Sequence, residues 1–494
     1  MPVYWQQLGL SPTQIGILRA VWGVAYSLGG VIFGKMACKW KIRRALLMMS
    51  ILSTAVTPLV SLVPRRTHDK CSVVLGKSLN ESERRMIAPR EGKNSFHPGN
   101  ELIKSQGESE ASENTNHRNQ PLFRKVEEKP DILEYSISRL SLPAINKRTP
   151  REAPVSRDHV HILEKSPQDI KTIFLIFVFI VFVGELLASP AFSLANSEIV
   201  DYLGENSRDF GKIRLWGPIG HVIAAPTTAL FVNHYHYMLC GEYQDNFAVV
   251  FAVISIMAMA SFVPVTQLDD QATEHSDNTD QNGDGKPLTL LEFFSRYQNI
   301  VFIVMTFLIG SFDGVTYTFE FWYTKTLDVT NATLVFGFSR MTSSAVSVVF
   351  LGFTGLCVKK TGYTGVTVFS MMLFVIWFVG MSLMKNPWLM LLFDTVNYTA
   401  YVTGLTGLVS YFGEVTPTHL MDTVQGGMNS LFFGVGSGIG TALCGFFIDA
   451  FGAVKAFRLF ALGGVVLLVL FLVSQAAYFC LTRSEKEEER KLLE

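Results

Sequence analysis

Eleven stretches of predominantly apolar residues recur along the chain, and each is about 20 residues long, enough to cross a lipid bilayer as an α-helix. Lipid offers no hydrogen-bond partners to a backbone, so segments of this kind have to satisfy their own peptide groups by forming helices. The sequence therefore predicts an all-α polytopic membrane protein. The predicted spans are residues 14–36, 45–63, 170–192, 212–232, 247–265, 298–323, 333–357, 364–384, 388–411, 424–449 and 456–482.

Lysine and arginine in the short loops predict the orientation of these spans, because cytosolic loops carry more of them. Every second short loop is basic, namely 35–44, 208–214, 359–360 and the tail from residue 483, whereas the alternate loops hold few cations. We therefore expect the C-terminus to face the cytosol, in the plasma membrane or in an endomembrane. Residues 1–10 would then begin outside, so we expect that most of a first helix is missing and that these residues are its outer end.

Two polar segments interrupt the spans. The first is rich in Ser, Glu, Lys and Arg and poor in aromatic residues, which is typical of a disordered exterior loop, and the second is acidic. The predicted organisation is 1–64 for partial helix 1 with helices 2 and 3, 65–168 for the exterior loop, 169–267 for helices 4 to 6, 268–290 for an acidic cytosolic linker, 291–482 for helices 7 to 12 of the C-terminal half, and 483–494 for a cytosolic tail.

Two glycosylation sequons fall in predicted exterior loops. They begin at Asn80 and Asn331, so we expect both asparagines to carry N-linked glycans. Cys71 and Cys240 are the cysteines predicted to lie outside the membrane. They could form a disulfide or both stay unpaired, and the sequence does not choose between the two.

The loop that follows the first predicted span resembles the gating loop of the major facilitator superfamily, whose pattern is Gly-x-x-x-Asp-x-x-Gly-Arg-Arg. Its acid helps to latch the cytosolic gate in that superfamily, and here Cys38 takes the place of the acid. A related loop occurs in the second half of the chain. The matching residues are Gly34, Arg43 and Arg44 in the first loop and Gly355, Lys359 and Lys360 in the second.

A second resemblance is more specific. Residues 182–220, FVGELLASPAFSLANSEIVDYLGENSRDFGKIRLWGPIG, resemble helices four and five of the major facilitator superfamily domain-containing protein 6 family, within the branch related to lactose-type permeases. The resemblance implies two six-helix bundles, the first incomplete here, related by an axis along the membrane normal, with a substrate site between them. His221 stands where sugar-type relatives have a tryptophan, so a sugar substrate is not implied.

Charged residues inside the spans are the candidate site, because an ionised side chain at the bilayer centre costs roughly 2.5–3.5 kcal/mol and normally faces a cavity or a partner. We predict a substrate or proton cavity that includes Glu185, Arg214, Asp313, Asn196, His221 and Glu320. The alternative is a structural pair between helices. Glu320 shares the helical face of Asp313, but we expect it near a water-accessible rim of the bundle, together with Arg19, Arg340 and Asp394.

Four further sequence patterns argue against particular functions. Glycines at 434–440 lie inside an apolar span, so they predict close helix packing. Residues 280–285 begin like a calcium loop but lack the required glutamate. Lys and Arg balance Asp and Glu at 42 each, so charge favours no nucleic-acid partner. No HExxH or Walker motif and no paired nucleophile and base is present, so we expect no enzyme, metal site or cofactor.

Three functions remain open on the sequence. The first is a secondary active transporter that moves a small polar solute by alternating access, with or without coupling to protons. The second is a cell-surface receptor of the same fold that binds an extracellular protein ligand without transport, which the long exterior loop and the altered gating loop favour. The third is a non-functional truncated product. In each case the lipid bilayer is the surrounding partner.

Overall fold

The computed structural model describes residues 1–40, 42–64, 70–75, 159–164, 167–191, 194–195, 216–239, 242–267, 290–417 and 420–493. The chain divides into two compact units, one made of residues 1–72 and 163–494 and the other of residues 73–162. Only 73–75 and 159–162 of the second unit are described. Most of the predicted exterior loop and almost all of the predicted linker therefore lie outside the described residues.

Helices dominate the first unit. They are α1 (Pro2–Gln7), α2 (Pro12–Trp40), α3 (Arg43–Val60), α4 (Pro167–Ala188), α5 (Trp216–His234), α6 (Phe247–Val265), α7 (Leu290–Ser295), α8 (Tyr297–Leu327), α9 (Ala332–Leu383), α10 (Met390–Val415), α11 (Met421–Asn429), α12 (Ser437–Phe451) and α13 (Ala453–Leu493). A π-helical segment, Ser430–Gly436, joins α11 to α12, and a 3₁₀ turn, Pro387–Leu389, precedes α10.

The all-α prediction needs a correction at four short strands. They are β1 (Lys70–Leu75), β2 (His159–Glu164), β3 (Tyr237–Leu239) and β4 (Glu242–Gln244), which form two two-stranded sheets. The second sheet is an antiparallel hairpin between α5 and α6. All four strands lie between helices, where water can satisfy the open edges that lipid could not.

Nine helices in the described part of the chain are long and apolar enough to cross a membrane. Two further predicted spans, 212–232 and 388–411, correspond to α5 and α10, which are helices but are not among the nine. The predicted spans 333–357 and 364–384 form the two arms of α9, which is kinked at Gly362. Gly362 has a φ of 70°, a backbone conformation that a side chain would strain.

Two groups of helices pack against each other within the first unit. We refer to α1–α6 as the N-terminal half and to α7–α13 as the C-terminal half. The halves meet mainly along two helix pairs, α2 with the segment from Ser430 to Phe451, and α5 with α9, and α1 makes a smaller contact with α8. Gly23 packs on the backbone of Gly434, and Gly16 packs on that of Thr441. Small residues bring these backbones together, as is usual for membrane helices.

The two ends of the bundle differ in how closely the halves approach. We define the hairpin end by β3–β4 and the start of α2, and the basic end by Arg43, Arg44, Lys359 and Lys360. Glycines toward the hairpin end are in tight contact, since Gly445 meets the backbone of Pro12. Glycines toward the basic end have open space around them, since a Cβ added to any of them would meet no described atom within 4 Å; they are Gly30, Gly34, Gly217, Gly220, Gly426 and Gly427. Among the described residues, the close backbone contacts between the halves therefore lie toward the hairpin end.

Candidate functional site

A cavity of about 680 Å³ lies between the two halves. The N-terminal half contributes Arg19 from α2, and the C-terminal half contributes Asp313 and Tyr317 from α8 and Arg340 from α9. These side chains project from long apolar helices, where a charged group is stable only if it faces a cavity or a partner. The cavity therefore places charge from both halves at one site.

Arg19 lies on the N-terminal wall of this cavity. Its guanidinium carbon is 3.7 Å from the ring centroid of Trp22, three residues further along α2, and 5.0 Å from that of Tyr317 across the interface. Trp22 in turn stacks on Tyr26, with ring centroids 5.4 Å apart. A guanidinium over aromatic faces is held by cation–π attraction. The arginine is therefore oriented by rings from both halves.

Glu185 stands behind this wall. It is half-buried on α4, accepts a hydrogen bond from the Trp22 side chain, and interacts electrostatically with Arg19, but it is not among the residues that line the cavity. The helix α4 packs against α3 at small residues, and the hydroxyl of Ser53 on α3 donates a hydrogen bond to the carbonyl of Gly184 on α4 at 2.8 Å. Glu185 can therefore influence the cavity through Trp22 and Arg19.

Arg340 is held by two buried carboxylates on neighbouring helices. Its Nη2 lies 2.6 Å from Oε2 of Glu320, and its Nη1 lies 3.3 Å from Oδ1 of Asp394. Ser343 donates to Oδ2 of Asp394 at 3.1 Å. Glu320 and Asp394 are fully buried, and Arg340 is 7% exposed. The cluster joins α8, α9 and α10 and keeps Arg340 at the cavity wall.

This cluster corrects the expectation of a water-accessible rim. Glu320, Arg340 and Asp394 are buried inside the C-terminal half, and Arg19 lines the cavity. Their burial depends on the neighbouring helices that pack around each side chain, and counting residues along one helix does not report it.

His221 reaches the cavity from α5. Its Nδ1 lies 2.7 Å from the hydroxyl of Ser344 on α9, so the pair forms a hydrogen bond between the halves. Asp313 and His221 line the cavity, whereas Glu320 is buried and is not among its lining residues. Arg214 and Asn196 lie outside the described residues, so their predicted roles stay predictions.

Several residues that line the cavity are not in the predicted site. They are Trp22, Tyr317, Asn397, Tyr398 and Tyr401. A sequence signal existed for Trp22 and Tyr317, since each is spaced by three or four residues from a charged residue of its own helix, Arg19 and Asp313, and so shares its face. Asn397 and Tyr398 carry the same signal, since they follow Asp394 of α10 by three and four residues, whereas Tyr401 has no charged residue at that spacing.

The gating-loop residues lie at the basic end. Arg44 donates to the backbone carbonyl of Thr266, within the N-terminal half. Lys359 and Lys360 are exposed at the end of the first arm of α9. Gly34 and Gly355 are helical, while Arg43 is half-buried at the start of α3. The predicted gating role of these six residues remains a prediction.

The hairpin end is closed by a buried ion pair between the halves. Lys325 of α8 contacts Asp245, which follows β4, and their side chains are 8% and 1% exposed. Thr333 of α9 donates to the same carboxylate at 3.1 Å. Gln7 donates to the side chain of Gln244 at 2.7 Å. The cluster borders the cavity on this side, since Thr333 is also among the lining residues.

The predicted modification sites lie apart from the cavity. Asn331 is exposed at the start of α9, and its side chain donates to Asp328 at 2.9 Å. Asn80, Cys240 and the side chain of Cys71 lie outside the described residues, so the glycan on Asn80 and the disulfide stay predictions. Among the described residues no group of His, Cys, Asp and Glu could hold a metal ion.

Apolar helices in two halves around a central charged cavity define a polytopic membrane protein of the major facilitator type. The chain belongs to the MFS_1 like family, which it matches over residues 1–459. It is 21% identical over 342 residues to major facilitator superfamily domain-containing protein 6-like protein A of Xenopus laevis, covering 67% of this chain and 53% of that protein. It is 22% identical over 321 residues to major facilitator superfamily domain-containing protein 6-like protein B of the same species, and the match covers 61% of this chain and 48% of that protein. The chain thus spans about half the length of these curated relatives.

Solved structures support the fold. The nucleoside transporter NupG superimposes with a TM-score of 0.59 at 13% identity, covering 96% of this chain and 93% of that one. A point mutant of the same transporter gives a TM-score of 0.60 at 12% identity with the same coverage. At such low identity the likeness shows the fold alone.

Proposed function

We propose that this protein is a secondary active transporter that moves a small polar solute across the membrane by alternating access, with no catalytic step. The observation that carries the proposal is the 680 Å³ cavity between the halves, with Arg19 on one wall and Asp313 and Arg340 on the other. Cavities of this size bind small solutes through a few converging polar groups. A site shared by two halves can be exposed to either side when the halves rock.

The difference between the two ends of the bundle supports this cycle. The Asp245–Lys325 pair joins the halves at the hairpin end, while six glycines toward the basic end have no described atom within 4 Å of an added Cβ. Such an arrangement corresponds to one of the two states that alternating access requires. With the basic loops and the C-terminus in the cytosol, as the lysine and arginine distribution predicts, this is the inward-open state.

Glu185 is our proposed proton site. It interacts with Arg19 and accepts a hydrogen bond from Trp22, so its protonation would change the charge balance at the cavity wall without occupying the solute's space. Ionisable residues inside a membrane bundle commonly mark ion or proton pathways. Proton binding at Glu185 would in this way be coupled to solute binding at Arg19.

Uptake by the purified protein in proteoliposomes tests the proposal. A panel of amino acids, nucleosides, sugars, organic acids and amines is offered with and without an inwardly directed proton gradient. We expect uptake of one solute class, stimulated by the gradient in the wild type and insensitive to it in Glu185→Gln. Glu292→Gln, an exposed carboxylate on α7, is the matched control and retains the stimulation.

Two outcomes would contradict parts of this proposal. Gradient-stimulated uptake that persists in Glu185→Gln would remove Glu185 as the proton site while leaving transport intact. Saturable binding of solutes or of an extracellular protein, with no uptake of any member of the panel, would replace the transporter by a receptor of the same fold.

A further inference from the structure

Two side chains of opposite charge on the cavity wall lack a partner of opposite charge within bonding distance. Arg19 makes no ion pair with a carboxylate in the described part of the chain, and its Nε is buried without a hydrogen-bond partner there. Asp313, on the other half, makes no ion pair among the same residues. The two attract each other across the interface without touching.

The other two charged residues near the cavity are less available to a solute, because Arg340 is already paired and Glu185 does not line the cavity. Arg340 is held by Glu320 and Asp394, so its guanidinium has little capacity for another anion. Glu185 is hydrogen-bonded by Trp22 and does not line the cavity. The charge available to a solute is therefore one guanidinium on the N-terminal wall and one carboxylate on the C-terminal wall.

The other residues that line the cavity are suited to binding an aromatic ring of a solute. Nine lining residues carry aromatic side chains, far more than a site that binds only hydroxyl groups would need. Tyr317 is 56% exposed although it lies in the middle of α8, and its ring stands between Arg19, at 5.0 Å, and Arg340, at 6.0 Å. An exposed aromatic face flanked by charges binds both rings and ammonium groups.

We propose that the solute is a zwitterion that carries an aromatic ring, an inference that rests on the proposed function and names its substrate class. Its carboxylate binds the guanidinium of Arg19, whose planar fork matches a carboxylate. Its ammonium binds Asp313 beside the ring of Tyr317. Its aromatic ring packs against Trp22 and the other aromatic side chains of the wall.

Such a ligand would also join the two halves. Each unpaired charge belongs to a different half, so a molecule with both charges satisfies them together, whereas an anion or a cation satisfies only one. An unpaired charge in a cavity of low polarity is costly, so the zwitterion gains from both contacts. Its binding would thereby favour closure of the halves around it.

Three probes with one ring system separate the charges. They are L-tryptophan, which carries both charges, tryptamine, which lacks the carboxylate, and indole-3-propionate, which lacks the ammonium. Binding is measured from the rise in Tm of the purified protein with probe concentration. We expect L-tryptophan to bind about tenfold or more tightly than either analogue, because losing one partner of a buried charge pair is expensive.

Two variants assign the charges to their residues. Arg19→Gln should abolish the preference for L-tryptophan over tryptamine, and Asp313→Asn should abolish the preference over indole-3-propionate. Arg458→Gln and Glu292→Gln, both at exposed positions outside the cavity, should leave both preferences unchanged. Should a cavity variant fail to fold, the selectivity of the wild type among the three probes still decides the question.

The inference is overturned if either analogue binds the wild type as tightly as L-tryptophan, or if none of the three raises its Tm. Uptake of radiolabelled L-tryptophan into proteoliposomes separates this failure from that of the transporter proposal. Selective binding of L-tryptophan without its uptake would contradict the transporter proposal and support the zwitterion site. Uptake of another solute without L-tryptophan binding would support the transporter proposal and contradict the zwitterion site.

Discussion

At the scale of single residues, the cluster of Arg340, Glu320 and Asp394 illustrates that a buried charge needs a partner of opposite charge. Its two carboxylates come from helices α8 and α10, and neither is exposed to solvent. Burying a charge is costly unless a counter-charge and hydrogen bonds compensate for it. Arg340 supplies the counter-charge for both, and Ser343 supplies a further hydrogen bond.

Arg340→Gln should therefore destabilise the protein strongly. It leaves Glu320 and Asp394 buried without a counter-charge, and breaking a buried pair in this way costs ~3–5 kcal/mol. The free energy of unfolding in detergent, measured by denaturant titration, checks this. Adding Glu320→Gln to Arg340→Gln should recover part of the loss, because it removes one of the uncompensated charges. A double variant as unstable as the single one would contradict the electrostatic explanation.

At the scale of elements, the contact between α2 and the segment from Ser430 to Phe451 depends on glycine. A Cβ on Gly23 would come closer to the carbonyl oxygen of Gly434 than real Cβ atoms do, and it would lie 3.0 Å from the carbonyl carbon and 3.1 Å from the Cα of that residue. The hydroxyl of Ser27 donates to the carbonyl of Ser430 at 3.2 Å, one turn further along. Beyond this point α2 leaves the C-terminal half, and Val31 is more than half exposed.

Gly23→Leu should lower stability by about 1–3 kcal/mol, because overpacking a tight contact forces the two helices apart. Gly30→Leu is the matched control. It lies seven residues along the same helix, nearly the same face, and a Cβ there meets no described atom within 4 Å, so we expect a change of about 0.5 kcal/mol or less. Thermal unfolding of both variants in detergent measures the contrast. Equal losses at the two positions would argue against a contact confined to the hairpin-end part of α2.

At the scale of the whole molecule, the buried Asp245–Lys325 pair holds the halves together at the hairpin end, and Thr333 adds a third contact. A conformational change that opens this end has to break the pair, which biases the equilibrium toward the state described above.

Lys325→Gln should shift the protein toward a state open at the hairpin end. The change leaves Asp245 buried without its cation, and opening would let water solvate that carboxylate. Spin labels on cysteines placed at Tyr235 and Val329, exposed positions of opposite halves, report the distance in a variant lacking the six native cysteines. We expect a longer distance to appear in Lys325→Gln and not in Lys385→Gln, an exposed control. An unchanged distribution would show that the pair does not govern the equilibrium.

Much of the fold could be predicted from the sequence, because apolar segments of bilayer length specify helices almost by themselves. Helices lie where the spans were predicted, although their ends differ and Gly362 joins two of them into one kinked element. The class of residue in the site was also predictable, since charges inside spans are rare. The burial of Glu320 and Arg340 was not predictable, because it depends on which other helices pack around them.

The sequence by itself determined that this protein is a membrane-spanning helical bundle, because hydrophobicity and length act locally along the chain. The arrangement in two halves was implied only by the resemblance of its motifs to the major facilitator superfamily. Only the tertiary structure decided which charges find a partner. Arg340 is neutralised by Glu320 and Asp394, whereas Arg19 and Asp313 face each other unpaired across a cavity. Pairing depends on distances between helices far apart in the chain, and no pattern within one helix encodes them.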